Sequence, residues 1–218
     1  MTETTMQPHG TTQAADAAGA SAGHRRATVV RATNETQVEV TIDLDGTGCT
    51  QVDTGVPFFD HMLDAFGRHG LFDLEVKAVG DTQVDDHHTV EDVGIVLGQA
   101  IAQASGDKCG IARFASQAVP MDETLVLSAV DVSGRGQFHG RLDLPFGKVG
   151  TFDTQLPEEF FIALAANAGI ALHVRRMAGA NVHHLIEAAF KAAGITIGKA
   201  FALDPRRAGT LPSTKGVL

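Results

Sequence analysis

Cysteine is nearly absent from this chain. Cys49 and Cys109 are the only two among 218 residues, without C-x-x-C spacing, so neither a disulfide framework nor a thiolate-rich zinc site is available. A reducing, cytoplasmic setting is expected. Tryptophan and tyrosine are missing, and no lysine or arginine stripe with interleaved aromatics occurs. Together with a formal net charge of -9, this argues against nucleic acid or an acidic membrane as partner, and an anionic substrate would need a local basic cluster. No stretch approaches the roughly 20 consecutive apolar residues of a membrane helix. Residues 1–24 are rich in Thr, Ala and Gly but have neither a basic opening nor an apolar segment, so a disordered tail rather than a signal peptide is expected. The remainder, in a chain that is 44% hydrophobic and 20% charged, suffices for one globular core or two fused halves.

The most informative pattern is written twice, as His87-His88-Thr89-Val90-Glu91 and His183-His184-Leu185-Ile186-Glu187. On a helix the first His lies about 40° from the Glu and the second about 60° from it on the other side. All three side chains are therefore expected on one face. Imidazole with carboxylate suits a divalent ion of intermediate hardness, such as Mn, Fe, Co or Zn. A His pair that merely caps a helix accounts for one such copy far better than for two.

The duplication extends beyond the motif. A shift of 88 residues lays Arg25 on Arg113, Asn34 on Asp122, Glu35 on Glu123, Thr36 on Thr124, Val38 on Val126, Asp43 on Asp131, Gly46 on Gly134 and Gly48 on Gly136. The motifs follow at a shift of 96, so a unit of about 90 residues is repeated with a loop insertion. The halves are expected at 25–110 and 111–218, packed about an approximate twofold axis as one compact domain. In the first, Val38, Val40 and Ile42 alternate as a strand, Asp45-Gly46-Thr47-Gly48 reads as a hairpin turn, and Gln51 to Thr54 is expected to return antiparallel. Phe59, Met62, Leu63 and Phe66 after Pro57 predict a helix ended by Gly70. A strand over 71–79 follows, then a helix over about 87–105 capped by Asp85 or Asp86. The second half repeats this with strands near 125–132 and 137–142, a helix over 157–168, a strand over 170–177 and a helix after Asn181. The expected class is α+β, each half a small mixed sheet with two helices on one face. Each motif opens the last helix of its half, where the twofold axis or a subunit interface brings the two together.

The repeat also suggests further ligands. His61 lies in the first helix of half one, and Glu159 takes its place in half two. With the six motif residues they make eight ligands, four for each of two ions, leaving about two open positions in octahedral coordination. A solvated carboxylate at a helix start accounts for Glu159 equally well. Arg135 stands where half one has Thr47, and with Arg113 and Ser213-Thr214-Lys215 it makes a candidate phosphate clamp of guanidinium forks, hydroxyls and an ammonium. Taken singly, each of these is an ordinary exposed charge. Glu35, or its repeat partner Glu123, is placed to serve as acid or base if it faces the metal. His139 and His173 fall at strand positions and are expected to be packed or surface residues.

Four segments in order, Pro57-Phe58-Phe59-Asp60-His61-Met62-Leu63, Asp85-Asp86-His87-His88-Thr89-Val90-Glu91-Asp92, His183-His184-Leu185-Ile186-Glu187-Ala188 and Pro212-Ser213-Thr214-Lys215-Gly216-Val217-Leu218, resemble the imidazoleglycerol-phosphate dehydratase family of histidine biosynthesis. The resemblance runs from about Arg25 to the end. It implies a ribosomal protein S5 domain 2-like fold and a hydro-lyase that converts D-erythro-imidazole glycerol phosphate to imidazole acetol phosphate and water. It further implies two Mn²⁺ per active site and a shell of 24 chains, with sites between subunits. Carried over residue by residue, His61, His87, His88, Glu91, His183, His184 and Glu187 match metal ligands. Glu159 departs from a pattern in which many relatives have His. Glu35, His69, Arg113, Arg135, Ser213, Thr214 and Lys215 match substrate contacts, which His61, His87, His88 and Glu91 are expected to join. The ions then serve as Lewis acid and template while a carboxylate, Glu35 first, assists proton transfer.

Two other classes use similar residues. A di-iron carboxylate oxidase sets paired His and Glu in four long helices, whereas strand-period segments here separate the helices. A metal-storage or metal-sensing module explains the ligands but leaves Arg113, Arg135 and Ser213-Thr214-Lys215 without a purpose.

Overall fold

The computed structural model describes residues 24–218, so the tail expected over 1–24 falls, but for His24, outside them. Half one runs β1 (Arg26–Ala32), β2 (Thr36–Asp43), β3 (Thr50–Asp53), α1 (Pro57–Gly70), β4 (Asp73–Gly80) and α2 (His87–Ala104). Half two runs β5 (Phe114–Met121), β6 (Thr124–Asp131), β7 (Gln137–Arg141), the short pair β8 (Lys148–Val149) and β9 (Phe152–Asp153), α3 (Leu156–Ala168), β10 (Ala171–Ala178) and α4 (Val182–Phe201). The sheets have matching orders, β1-β2-β4-β3 and β5-β6-β10-β7. This is the expected duplicated α+β arrangement.

The antiparallel return after Asp45–Gly48 does not form. β3 runs parallel to β4, with Val52 beside Val76, because β1 and β4 already occupy both edges of β2. The intervening loop is held instead by Asp73, whose carboxylate accepts from the Thr47 and Cys49 amides at 2.8 and 3.0 Å. β7 is likewise parallel to β10. Neither β1 nor its counterpart β5 was expected, since each is an edge strand whose alternation is broken by polar or half-buried residues.

Each sheet is covered by its own two helices, and the helix layers meet across the halves. α1 packs on α4 and α2 on α3, and exchanging the halves maps one pair onto the other, as a twofold axis requires. Both pairs lie close because glycines face backbone. A Cβ at Gly194 would lie 2.3 Å from the Phe66 carbonyl oxygen, and one at Gly98 2.7 Å from that of Leu164. A Cβ at Gly70 would likewise lie 2.9 Å from the Gly194 carbonyl oxygen, and α1 ends on Gly70 as expected, followed by left-handed Leu71 (φ 60°). Phe59, Phe160, Phe161 and Phe190 are fully buried and in mutual contact at the centre, each such side chain contributing roughly 1.5–3 kcal/mol.

The halves differ most between sheet and first helix. Residues 54–56 suffice in half one, whereas 142–155 intervene in half two and carry β8 and β9. Phe152 anchors this hairpin, fully buried with its ring 5.4 Å from Phe58 and 6.0 Å from Phe59. No helix among the described residues is long and apolar enough to cross a membrane.

Candidate functional site

The pairing of α1 with α4 sets His61 against the second motif. Asn181 caps α4, its side chain accepting from the His184 amide at 3.3 Å, and one turn of helix places His183 and Glu187 on the same side. His183 Nε2 lies 3.1 Å and His61 Nε2 3.4 Å from the same oxygen, Glu187 Oε2. All three ligand atoms fall within 4.8 Å of one another. Ligands of one ion at bonds of about 2.1 Å stand up to roughly 4.2 Å apart, so these donors fit a transition metal with small rotations. Glu187 is buried, which opposes its ionisation, but Lys191 Nζ at 2.7 Å from Oε1 together with His61 and His183 outweighs burial, and its pKa lies below the ordinary carboxylate value. The Phe58 ring meets His183 edge-on at 5.1 Å.

The twofold-related place holds the first motif. His87 Nε2 is 3.9 Å from Glu91 Oε2, and Glu159 of α3 shares with His87 a cleft of about 400 Å³, also lined by Asp85, Asp86, Lys148 and Asp153. Asp86 stands at the cap position of α2, but Asp85 is the residue that accepts from the His87 amide, at 2.9 Å. Among the described residues this second set does not close as tightly as the first.

The second His of each motif leaves the shared face that was expected. Consecutive residues diverge by about 100° on a helix, and the rings of His87 and His88, like those of His183 and His184, stand at 87° and 86° to each other. His88 Nδ1 meets Asp81 at 3.1 Å, with Glu35 at 3.9 Å. His184 Nδ1 meets Glu123 at 2.9 Å. Asp81 holds the His88 pKa above the usual histidine value. A carboxylate on Nδ1 orients an imidazole so that Nε2 is the metal-binding nitrogen. Both rings therefore keep Nε2 as the nitrogen for a ligand, that of His184 lying 3.8 Å from Asp122, and neither joins the cluster formed by His61, His183 and Glu187.

The two candidate acid–base groups are distinguished by their bonds. The Glu123 carboxylate accepts from His184, from the amides of Ala180 and Asn181 at 3.3 and 3.0 Å, and from Thr124 Oγ1 at 3.1 Å. Its pKa is held at about 2, chiefly by His184. Glu35 lies on the corresponding β1–β2 turn, exposed, its carboxylate 3.9 Å from the His88 ring.

The clamp candidates converge at the opposite end of α4. The Arg113 guanidinium donates to Asp131 at 2.8 Å and to the Pro212 carbonyl at 2.7 Å. Its backbone is left-handed (φ 75°), and its amide donates to the Ala200 carbonyl at 2.8 Å. A Cβ on Gly134 would lie 2.5 Å from the Leu218 carbonyl carbon, so the turn carrying exposed Arg135 touches the chain end. Ser213 Oγ donates to the Val217 carbonyl at 2.7 Å and shapes the turn that bears exposed Thr214 and Lys215. His183 and Ala200 are 17 residues apart on one helix, about 25 Å. His69 lies between these ends on α1, its pKa lowered by burial and by Lys191 and Arg68.

Lys191, Asp81 and Phe58 escaped the reading of the sequence. Lys191 was accessible, since it stands four residues after Glu187 on the same helix face. The contacts of Asp81 and Phe58 depend on how separate elements meet. His139 and His173 are exposed as expected, stacked at 4.6 Å on the second sheet.

Residues 54–197 match the family model described as Imidazoleglycerol-phosphate dehydratase. The chain is 58% identical over 195 residues to the imidazoleglycerol-phosphate dehydratase of Desulforamulus reducens, covering 89% of this chain and 99% of that protein. The Acidiphilium cryptum enzyme is also 58% identical, with the same shares. Among solved structures, imidazoleglycerol-phosphate dehydratase from Staphylococcus aureus superposes with a TM-score of 0.74 at 39% identity, over 82% of this chain and 99% of that one. The Pyrococcus furiosus protein in complex with (S)-C348 gives 0.74 at 33%, over 87% and 99%. The chain belongs to the imidazoleglycerol-phosphate dehydratase family and is a carbon–oxygen lyase.

Proposed function

We propose that this protein is a metal-dependent, cytoplasmic enzyme of L-histidine biosynthesis that converts D-erythro-imidazole glycerol phosphate to imidazole acetol phosphate and water. The observation that carries the metal dependence is the convergence of His61 and His183 Nε2 on one Glu187 oxygen. His61, His183 and Glu187 would hold one ion, and His87, Glu91 and Glu159 the other, with Mn²⁺ as the expected metal. When bound, such ions supply Lewis acidity toward the substrate imidazole.

The chain's own residues supply the rest. The hydroxyl leaves from the carbon attached to the ring and the proton from the next carbon, giving an enol that becomes the ketone. Glu35 takes or returns that proton at its carboxylate, because Glu123 is already committed to four hydrogen bonds. Arg113, Arg135, Ser213, Thr214 and Lys215 bind the phosphate. Imidazole and phosphate in this substrate are separated by a three-carbon chain, roughly 10 Å at most, far less than the distance from cluster to clamp along α4. Each active site therefore combines the metal cluster of one copy with the clamp of another, and His88 and His184 present Nε2 across the same boundary. That sharing supports self-association, for which a 24-chain shell is the expected form. The test is ketone formation from imidazole glycerol phosphate by chelator-treated protein with and without added Mn²⁺. Absence of ketone in both samples sinks the substrate assignment, and equal rates in both sink the metal dependence.

A further inference from the structure

The two candidate metal half-sites carry different charge. Around His61, His183 and Glu187 there is one ligand carboxylate, and Lys191 Nζ touches it at 2.7 Å. Around His87 there are two candidate ligand carboxylates, Glu91 and Glu159, and the cleft adds Asp85, Asp86 and Asp153 against one ammonium, Lys148. The repeat explains the contrast position by position. Ile95 stands where half two has Lys191, Asp85 and Asp86 stand where it has Asn181 and Val182, and Glu159 replaces His61. The inserted hairpin contributes Lys148 and Asp153 to the acidic cleft.

The side that faces the second histidines is balanced. His88 has Glu35 and Asp81 near it, and His184 has Glu123 and Asp122. Whichever copy supplies those imidazoles, the difference between half-sites remains. Oxygen-rich sites suit hard ions such as Mn²⁺, which lies low in the affinity order for divalent metals, whereas imidazole-rich sites favour Zn²⁺. Lys191 sits on Oε1 of Glu187 while His61 and His183 converge on Oε2, so the ammonium weakens the metal by drawing negative charge from the shared carboxylate.

We propose that the half-site of His87, Glu91 and Glu159 fills first with Mn²⁺, and that the half-site of His61, His183 and Glu187 fills second and prefers Zn²⁺. The proposal rests on the metal-dependent reading above. It assigns Glu159 a ligand role and Lys191 a role in weakening the second ion.

The test is binding, followed by the electron paramagnetic resonance signal of free Mn²⁺ during titration of full-length, chelator-stripped protein. Two classes of one ion per chain are expected, with dissociation constants at least tenfold apart. Glu159→Gln, which keeps the shape, and Glu159→His should each weaken only the first class by about tenfold. Lys191→Met should strengthen only the second. One equivalent of Zn²⁺ added to the Mn-loaded protein should release one Mn²⁺ per chain, from the weaker class. Two equal classes in the wild type, or a first class unmoved by both Glu159 variants, overturn the ordering while leaving metal dependence intact. No Mn²⁺ binding at all overturns both.

Discussion

The same second histidine is served differently in the two halves. His184 is held by a Glu123 that also accepts from two backbone amides and a hydroxyl, so that carboxylate helps fix the entry to α4. His88 is held mainly by Asp81, a residue of another loop, and Glu35 stays exposed beside it. A duplicated frame thus provides two like positions, and the local hydrogen bonds decide which is structural and which remains available to handle a proton. The loops before the first helices diverge in the same sense, 54–56 against 142–155, as do Thr47 and Arg135.

The comparison is most sharply broken by removing ligands. His183→Ala and His87→Ala should each lower kcat/KM by roughly a thousandfold, because several kcal/mol of Lewis-acid stabilisation are lost, and each should cost about one bound Mn²⁺ per chain. If one variant keeps near-normal turnover, the two clusters are not partners in one reaction. The carboxylates come next. Glu35→Gln should cut kcat about 100-fold or more while Mn²⁺ retention and binding of a phosphorylated imidazole analogue persist. Glu123→Gln should instead loosen α4 and metal retention, visible as faster amide exchange at residues 180–184. Equal kinetic losses with unchanged exchange would remove the distinction.

The two helix pairs give a smaller, structural comparison. Gly194→Ala and Gly98→Ala each force a Cβ onto a carbonyl of the facing helix and should destabilise by about 1–3 kcal/mol, read by thermal unfolding. The smallest effect concerns Asp45, whose pKa is lowered below 3.8, first by its hydrogen bonds to Arg25. A carboxylate depressed on folding stabilises above its unfolded pKa and loses that contribution as pH falls through the folded one. Asp45→Asn should therefore cost about 0.5–1 kcal/mol at pH 6, and the difference from wild type should vanish in strong acid. A difference independent of pH would mean that packing, not charge, is involved.

Much of this was legible in the sequence. Helix periodicity located α1, caps and the repeat located α2, α3 and α4, the repeat predicted the twofold relation, and the offset between motifs pointed to an insertion. The edge strands β1 and β5 were not legible, because edge positions tolerate polar residues that blur alternation. Without β1, the link after β2 reads as a hairpin. For the candidate site, the sequence offered residues but not their partition. Spacing places His183 and Glu187 on one side of α4, yet only the packing of α1 on α4 shows that His61 completes their cluster. Only the Asp81 and Glu123 contacts show which way His88 and His184 face. The separation of clamp from cluster follows from the Arg113 amide bonding at Ala200, a tertiary contact without a local signature.

That separation is the central claim, and mixing tests it directly. Arg113→Ala and His183→Ala, each expected to lose activity alone, should recover a substantial fraction of wild-type turnover when co-assembled, because some sites then draw an intact cluster from one copy and an intact clamp from the other. No recovery in assemblies shown by mass to contain both variants would contradict a site shared between chains.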